Sequence, residues 1–154
     1  MTKQKTENEP TGNPVLLLIT KAERDESGKF PPSNVWLNKV QNEANLQGVT
    51  IEVRDFEIPD RKAMQQEDYP YIIVDLTAVE LSDSEVHNYF WHLRQASLSS
   101  LIIATSIDPT IEMGRAALKH GTGANDFIDQ SLHPHAIKSL FKPLLKPSSF
   151  PKKI

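Results

Sequence analysis

Residues Tyr71 to Thr77 read YIIVDLT, four apolar side chains running directly into a carboxylate. A continuous apolar run of this length suits a strand covered on both faces. A carboxylate at the end of such a strand is costly unless something satisfies it. Two further runs have the same character: VLLLI (Val15 to Ile19) and LIIAT (Leu101 to Thr105). Between Val49 and Phe56 the pattern changes to alternation. Val49, Ile51 and Val53 fall on one face and Thr50, Glu52 and Arg54 on the other, as at a sheet edge. DFI (Asp126 to Ile128) supplies a short fifth strand.

Helical signals lie between these strands. Ser33 or Asn34 caps a helix reaching about Leu46, with Trp36, Val40 and Ala44 four apart and Gly48 ending it. A weak helix is expected around Asp60 to Gln66. SDSE (Ser82 to Glu85) is a capping box before a stripe of Val86, Phe90, Leu93 and Ala96. Asp108-Pro109 reads as a helix start, and that helix ends near His120-Gly121. Pro134 opens a last helix that Pro143 stops or kinks. Strand and helix alternate five times, which implies a doubly wound parallel α/β sheet with helices on both faces. In such sheets the chemistry gathers at the carboxyl ends of the strands, where Asp75 lies.

The bulk properties narrow the classes. The 154 residues suit one domain over residues 14–145, flanked by a polar tail at 1–13 and a Pro- and Lys-rich tail or linker at 146–154. No cysteine is present, so disulfides, thiolate metal sites and a cysteine nucleophile are excluded, and a reducing, cytoplasmic setting fits. With 17 basic and 20 acidic residues, the net charge of -3 gives no field that favours nucleic acid. No apolar run approaches the roughly 20 residues of a membrane span.

YIIVDLT, LIIATSID and GANDFIDQSLHPHAI (Gly123 to Ile137) together resemble the receiver domains of two-component response regulators. The resemblance covers most of residues 14–145. It implies the flavodoxin-like, CheY-like fold with strand order 2-1-3-4-5. It places Asp75 on the phosphoacceptor, Thr105 on the hydroxyl residue that contacts the phosphoryl group, and Phe127 on the aromatic whose rotation reports activation. Other positions depart from the pattern. Receivers hold Mg²⁺ with an acidic pair just after the first strand, but here those positions fall among Ile19, Thr20 and Lys21. The lysine after the fifth strand corresponds to Gln130, its following proline to Ser131, and a helix-capping Asp to His133.

These departures bear on the chemistry. A phosphoryl group brings about two negative charges, and its transition state needs fixed positive groups. Losing one preorganised electrostatic partner costs about 3 kcal/mol in an enzyme. Two arrangements satisfy Asp75 without metal. Either the Lys21 ammonium takes the ion's place, or Lys21 is solvated and Asp75 accepts bonds from backbone or Thr105. Glu23, Asp25 and Glu26 offer a third possibility, an unusual metal site on a mobile loop. With Ser106, these residues make up the expected pocket: Thr20, Lys21, Asp75, Thr105, Ser106 and Gln130.

Other features have ordinary readings. His133 and His135 flank a helix start, and His87 and His92 are wrongly spaced for one face. YFW (Tyr89 to Trp91) reads as core plus one amphipathic ring, with a partner patch as the rival reading. GTG (Gly121 to Gly123) follows a helix and precedes a strand, the reverse of a phosphate loop. The expected function is therefore a non-enzymatic signalling module, a pseudo-receiver acting through a protein partner without phosphorylation and without a cofactor. A homodimer through the fourth helix, fifth strand and fifth helix is one form of that contact. The alternative is a phosphorelay receiver that accepts phosphate on Asp75 with Mg²⁺ in an atypical site.

Overall fold

The structure, a computed structural model, describes residues 15–57, 69–119, 123–131, 137 and 141. Five strands form one all-parallel sheet: β1 (Val15–Thr20), β2 (Thr50–Asp55), β3 (Tyr71–Asp75), β4 (Leu101–Ser106) and β5 (Asp126–Asp129). Their order is β2-β1-β3-β4-β5, the doubly wound order expected. Helices α1 (Val35–Gln47), α2 (Asp83–Ala96) and α3 (Ile111–Leu118) connect them.

The central strands divide their side chains between two cores. Leu16 and Leu18, Tyr71 and Ile73, and Ile103 face α1, where Trp36, Leu37, Val40, Ile137 and Phe141 pack. Leu17 and Ile19, Ile72 and Val74, and Ile102 and Ala104 face α2 and α3, against Val86, Phe90, Leu93 and Ala117. The period of two along each strand produces this division. Every residue of β3 is buried, which accounts for an apolar run without polar alternation. The β2 edge alternates between exposed and half-buried residues over most of its length.

Local signals fix the helix ends. The Asn34 side chain accepts from the Leu37 N–H at the start of α1. Gly48 closes that helix at φ 73°, a left-handed conformation that glycine adopts without a Cβ penalty. Ser82 and Glu85 form the reciprocal capping box of α2.

β3 ends at Asp75, and the Thr77 N–H turns back onto the Asp75 carboxylate. Two expectations are corrected. α3 is capped by Thr110, whose hydroxyl accepts from Met113 N–H, while the Asp108 N–H bonds to Ser106 Oγ. α3 also ends at Leu118, before His120. Tyr89 and Phe90 are both buried, and only Trp91 of the YFW triplet is half-exposed. Tyr89 stacks on Phe56, which gives the second ring its own core contact. This favours the core reading over a partner patch. The weak helix at 60–66, the start of the last helix at Pro134, the GTG turn before Gly123, His133, His135 and both tails lie outside the described residues.

Candidate functional site

Strand alternation assembles the site. Thr20 continues the Leu16–Leu18 row, Asp75 the Tyr71–Ile73 row, and Thr105 the row of Ile103. Gln130 continues from Ile128, which packs on the same core. Asp75 pairs with Thr105, and Thr105 with Ile128, across β3, β4 and β5. Four polar side chains therefore emerge together on the α1 face, at the carboxyl end of the sheet.

Asp75 is 2% exposed and forms the floor of the site. The Thr20 hydroxyl donates to its Oδ2 at 2.8 Å. The Gln130 amide donates to Oδ1 at 3.1 Å, and the Thr77 N–H donates to the same oxygen at 3.0 Å. All three donors are uncharged. Thr20 is itself held by the Ala22 N–H, which donates to its Oγ1. Hydrogen bonds of this kind meet the requirement that a buried carboxylate be satisfied.

Of the two expected arrangements, the one with the Lys21 ammonium in the ion's place is not found. Lys21 is exposed, lines the cleft above the floor, and makes no ion pair with Asp75. The solvated alternative therefore holds for Lys21. Asp75 also takes the expected backbone bond, from the Thr77 N–H, while its side-chain donors are Thr20 and Gln130 rather than Thr105. The Thr105 hydroxyl donates instead to the Ile128 carbonyl at 2.6 Å, binding β4 to β5. Ser106 is buried beside it and accepts from the Asp108 N–H. Phe127 lies on the opposite face of the sheet, half-buried against the α2–α3 core. A Cβ on Gly114 of α3 would stand 4.0 Å from its Cγ.

The residues present do not fit Mg²⁺. The ion prefers several oxygen ligands with carboxylates among them, and none of the described residues bonded to Asp75 is acidic. The Thr20 hydroxyl beside Asp75 is already bonded. Among the described residues, no three acids or histidines gather as a metal site. Of the loop carboxylates, Asp25 does not bend back, since it accepts from Ser27 and Lys29 within its own turn, whereas Glu23 lines the cleft above Asp75. The Lys29 backbone N–H, with the Ser27 hydroxyl, holds the Asp25 carboxyl below the usual range.

Sequence reasoning missed two residues, one on the cleft wall and one at the opposite end of the sheet. Ala78, on the cleft wall, holds φ 67°, a left-handed conformation unusual for a residue with a Cβ. Arg94, near the end of α2, reaches the start of β5. It donates to the carbonyls of Gly123, Ser97, Leu98 and Ser100 and to Asn125 Oδ1. Asn125 Oδ1 in turn accepts from the Ile102 N–H, so the clamp fixes β5, the strand that leads to Gln130.

No family model and no curated protein matches the chain. Solved structures do. An orphan response regulator of H. pylori aligns with a TM-score of 0.58 at 20% identity, over 87% of this chain and 98% of that one. A CheY-like response regulator receiver domain protein of Methanospirillum hungatei aligns with a TM-score of 0.59 at 14% identity, over 88% and 95%. An atypical orphan response regulator, described as having a phosphorylation-independent regulatory mechanism, aligns with a TM-score of 0.52 at 19% identity, over 84% and 91%. The five parallel strands, their order and these alignments agree: the chain has the CheY-like, flavodoxin-like fold of response-regulator receiver domains.

Proposed function

We propose that this chain is a signalling module that works by binding a protein partner, with Asp75 acting as a fixed structural carboxylate rather than a phosphoacceptor. One observation carries the reading. Both carboxylate oxygens of Asp75 accept from neutral donors, Oδ2 from the Thr20 hydroxyl and Oδ1 from the Gln130 amide and the Thr77 N–H. Phosphorylation would break these bonds and bring a dianion to a floor that supplies no cation. An incoming phosphoryl group needs preorganised positive charge at its oxygens, and Gln130 offers only an amide dipole.

In this reading the module needs no cofactor and catalyses nothing. It carries its signal by contact, in the cytoplasm. The contact surface we assign is α3 with β5, where Ile111 is 71% exposed. Either a second protein or a second copy of the chain would cover it. The rival reading, a phosphorelay receiver, draws on Asp75 standing directly beside Thr105 in the sheet register.

Incubation with acetyl phosphate and Mg²⁺, followed by intact mass measurement, separates the two. No stable adduct is expected. An acyl phosphate that is lost in Asp75→Asn would establish the rival reading.

A further inference from the structure

One residue joins the floor of the site to the loop that leads into α3. Thr77 is the second residue of a turn from Leu76 to Val79, closed by the Val79 N–H donating to the Leu76 carbonyl at 3.0 Å. The Thr77 N–H donates to Asp75 Oδ1 at 3.0 Å. The Thr77 hydroxyl accepts, also at 3.0 Å, from the N–H of Ile107, the first residue past β4. Thr77 therefore holds Asp75 with its backbone and the β4–α3 loop with its side chain.

The turn itself is strained. Its third residue, Ala78, holds φ 67°. A turn with positive φ at that position favours glycine or asparagine, because a Cβ opposes the left-handed backbone. Such a conformation persists where the surroundings over-determine it. Three bonds from outside the turn do so here. The Leu76 N–H donates to the Thr105 carbonyl at 2.7 Å, a backbone bond that does not involve the carboxylate. The other two, to Asp75 and from Ile107, both pass through Thr77. Losing either one loosens the hold on the other.

The hydroxyls of β4 do not provide this link. Thr105 donates to the Ile128 carbonyl, and Ser106 accepts from the Asp108 N–H within its own loop. What Thr77 holds is also well placed. Ile107 is 54% exposed and leads into α3, whose first residue, Ile111, is 71% exposed.

From the two bonds of Thr77 and the strained turn that carries it, we infer that Thr77 is a positioning residue coupling the Asp75 carboxylate to the β4–α3 loop. The state of the floor sets the placement of Ile107, and a partner seated over Ile107 acts back on the floor to the same extent. The inference goes beyond the phosphate-independent reading. Its use at the contact surface rests on that reading, but the link itself stands whether or not Asp75 accepts phosphate.

A double-mutant cycle read at the Ile107 amide, by ¹⁵N–¹H spectra and hydrogen exchange, tests this. Asp75→Ala removes the acceptor of the Thr77 N–H and leaves the partner of Ile107 in place. It should move the Ile107 signal and speed its exchange about fivefold, the scale of one hydrogen bond. Thr77→Val should do the same directly, whereas Thr77→Ser, which keeps the hydroxyl, should not. Once Thr77 is replaced by valine, adding Asp75→Ala should change Ile107 exchange by less than about twofold. The Asn125 amide, at the far end of the sheet, should stay unmoved throughout. Asp75→Asn keeps a weaker acceptor and should give a smaller change in the same direction, so it serves the same cycle if Asp75→Ala does not fold. An Ile107 amide that ignores Asp75, or that responds as strongly in the Thr77→Val background as in the parent, overturns the inference. An acyl phosphate on Asp75 would overturn the phosphate-independent reading and leave this comparison intact.

Discussion

A buried carboxylate and a half-buried guanidinium stand at opposite ends of the sheet. Asp75 closes the carboxyl end, and Arg94 ties together the amino ends of β4 and β5. Neither has a counter-ion among the described residues. Each is satisfied by dipoles instead: Asp75 by a hydroxyl, an amide and a backbone N–H, Arg94 by four carbonyls and the side chain of Asn125. The difference lies in what the partners are. Arg94 bonds mostly to backbone, so its network is determined by the chain's path and works as a staple. Asp75 bonds mostly to side chains, which substitution can change without altering the path. The same physics therefore yields a structural clamp at one end and an adjustable site at the other.

Replacing each charge sharpens this contrast. Arg94→Met removes a donor from the partly buried Gly123, Ser97 and Ser100 carbonyls and should cost about 3 kcal/mol of stability in urea unfolding. Lysine should not restore it, since a single ammonium cannot reproduce the guanidinium fork. A fully stable Arg94→Met would remove the distinction between staple and site.

Asp75→Ala should cost less, about 2 kcal/mol, by stranding Thr20 and Gln130. Asp75→Asn should lie within about 1 kcal/mol of the parent, because the Thr20 hydroxyl can turn from donor to acceptor. A large loss in Asp75→Asn would mean that the negative charge itself holds the floor together. The smallest effect is expected at Ala78. Glycine there should be neutral or stabilising by about 0.5 kcal/mol, since the left-handed backbone at φ 67° no longer opposes a Cβ.

Much of this architecture is legible in the sequence because helix ends and strand burial have local causes. Gly48, the Ser82–Glu85 box and the runs at Leu16, Ile72 and Ile102 each signal their element directly. The helix start at Asp108-Pro109 failed for a related reason. A capping residue precedes a proline there, but Thr110 two residues later is also a capping residue. The structure gives the cap to Thr110, while the Asp108 N–H turns back to the Ser106 hydroxyl two residues earlier.

The floor of the cleft was half legible. The positions of Asp75, Thr105 and Gln130 followed from the resemblance. The choice between Thr20 and Lys21 did not, because a strand buried on both faces shows no alternation to reveal which side chain faces inward. Only the row from Leu16 through Leu18 to Thr20, visible once the two cores are separated, settles it. Arg94 gave no signal beyond being a cation in the last turn of a helix. Its partners lie up to 31 residues away. Trp36 was legible as core from its spacing with Val40 and Ala44, whereas its unmet N–H is a property of the packed state alone.

The central claim is that the floor around Asp75 is complete with neutral partners and admits no phosphoryl state. Addition of beryllofluoride and Mg²⁺ to ¹⁵N-labelled protein tests it most directly, because this complex mimics an acyl phosphate without requiring turnover. The account predicts that the backbone amide signals of Thr20, Thr77, Thr105, Phe127 and Gln130 stay where they are. Saturable movement of those signals, abolished in Asp75→Asn, would contradict it.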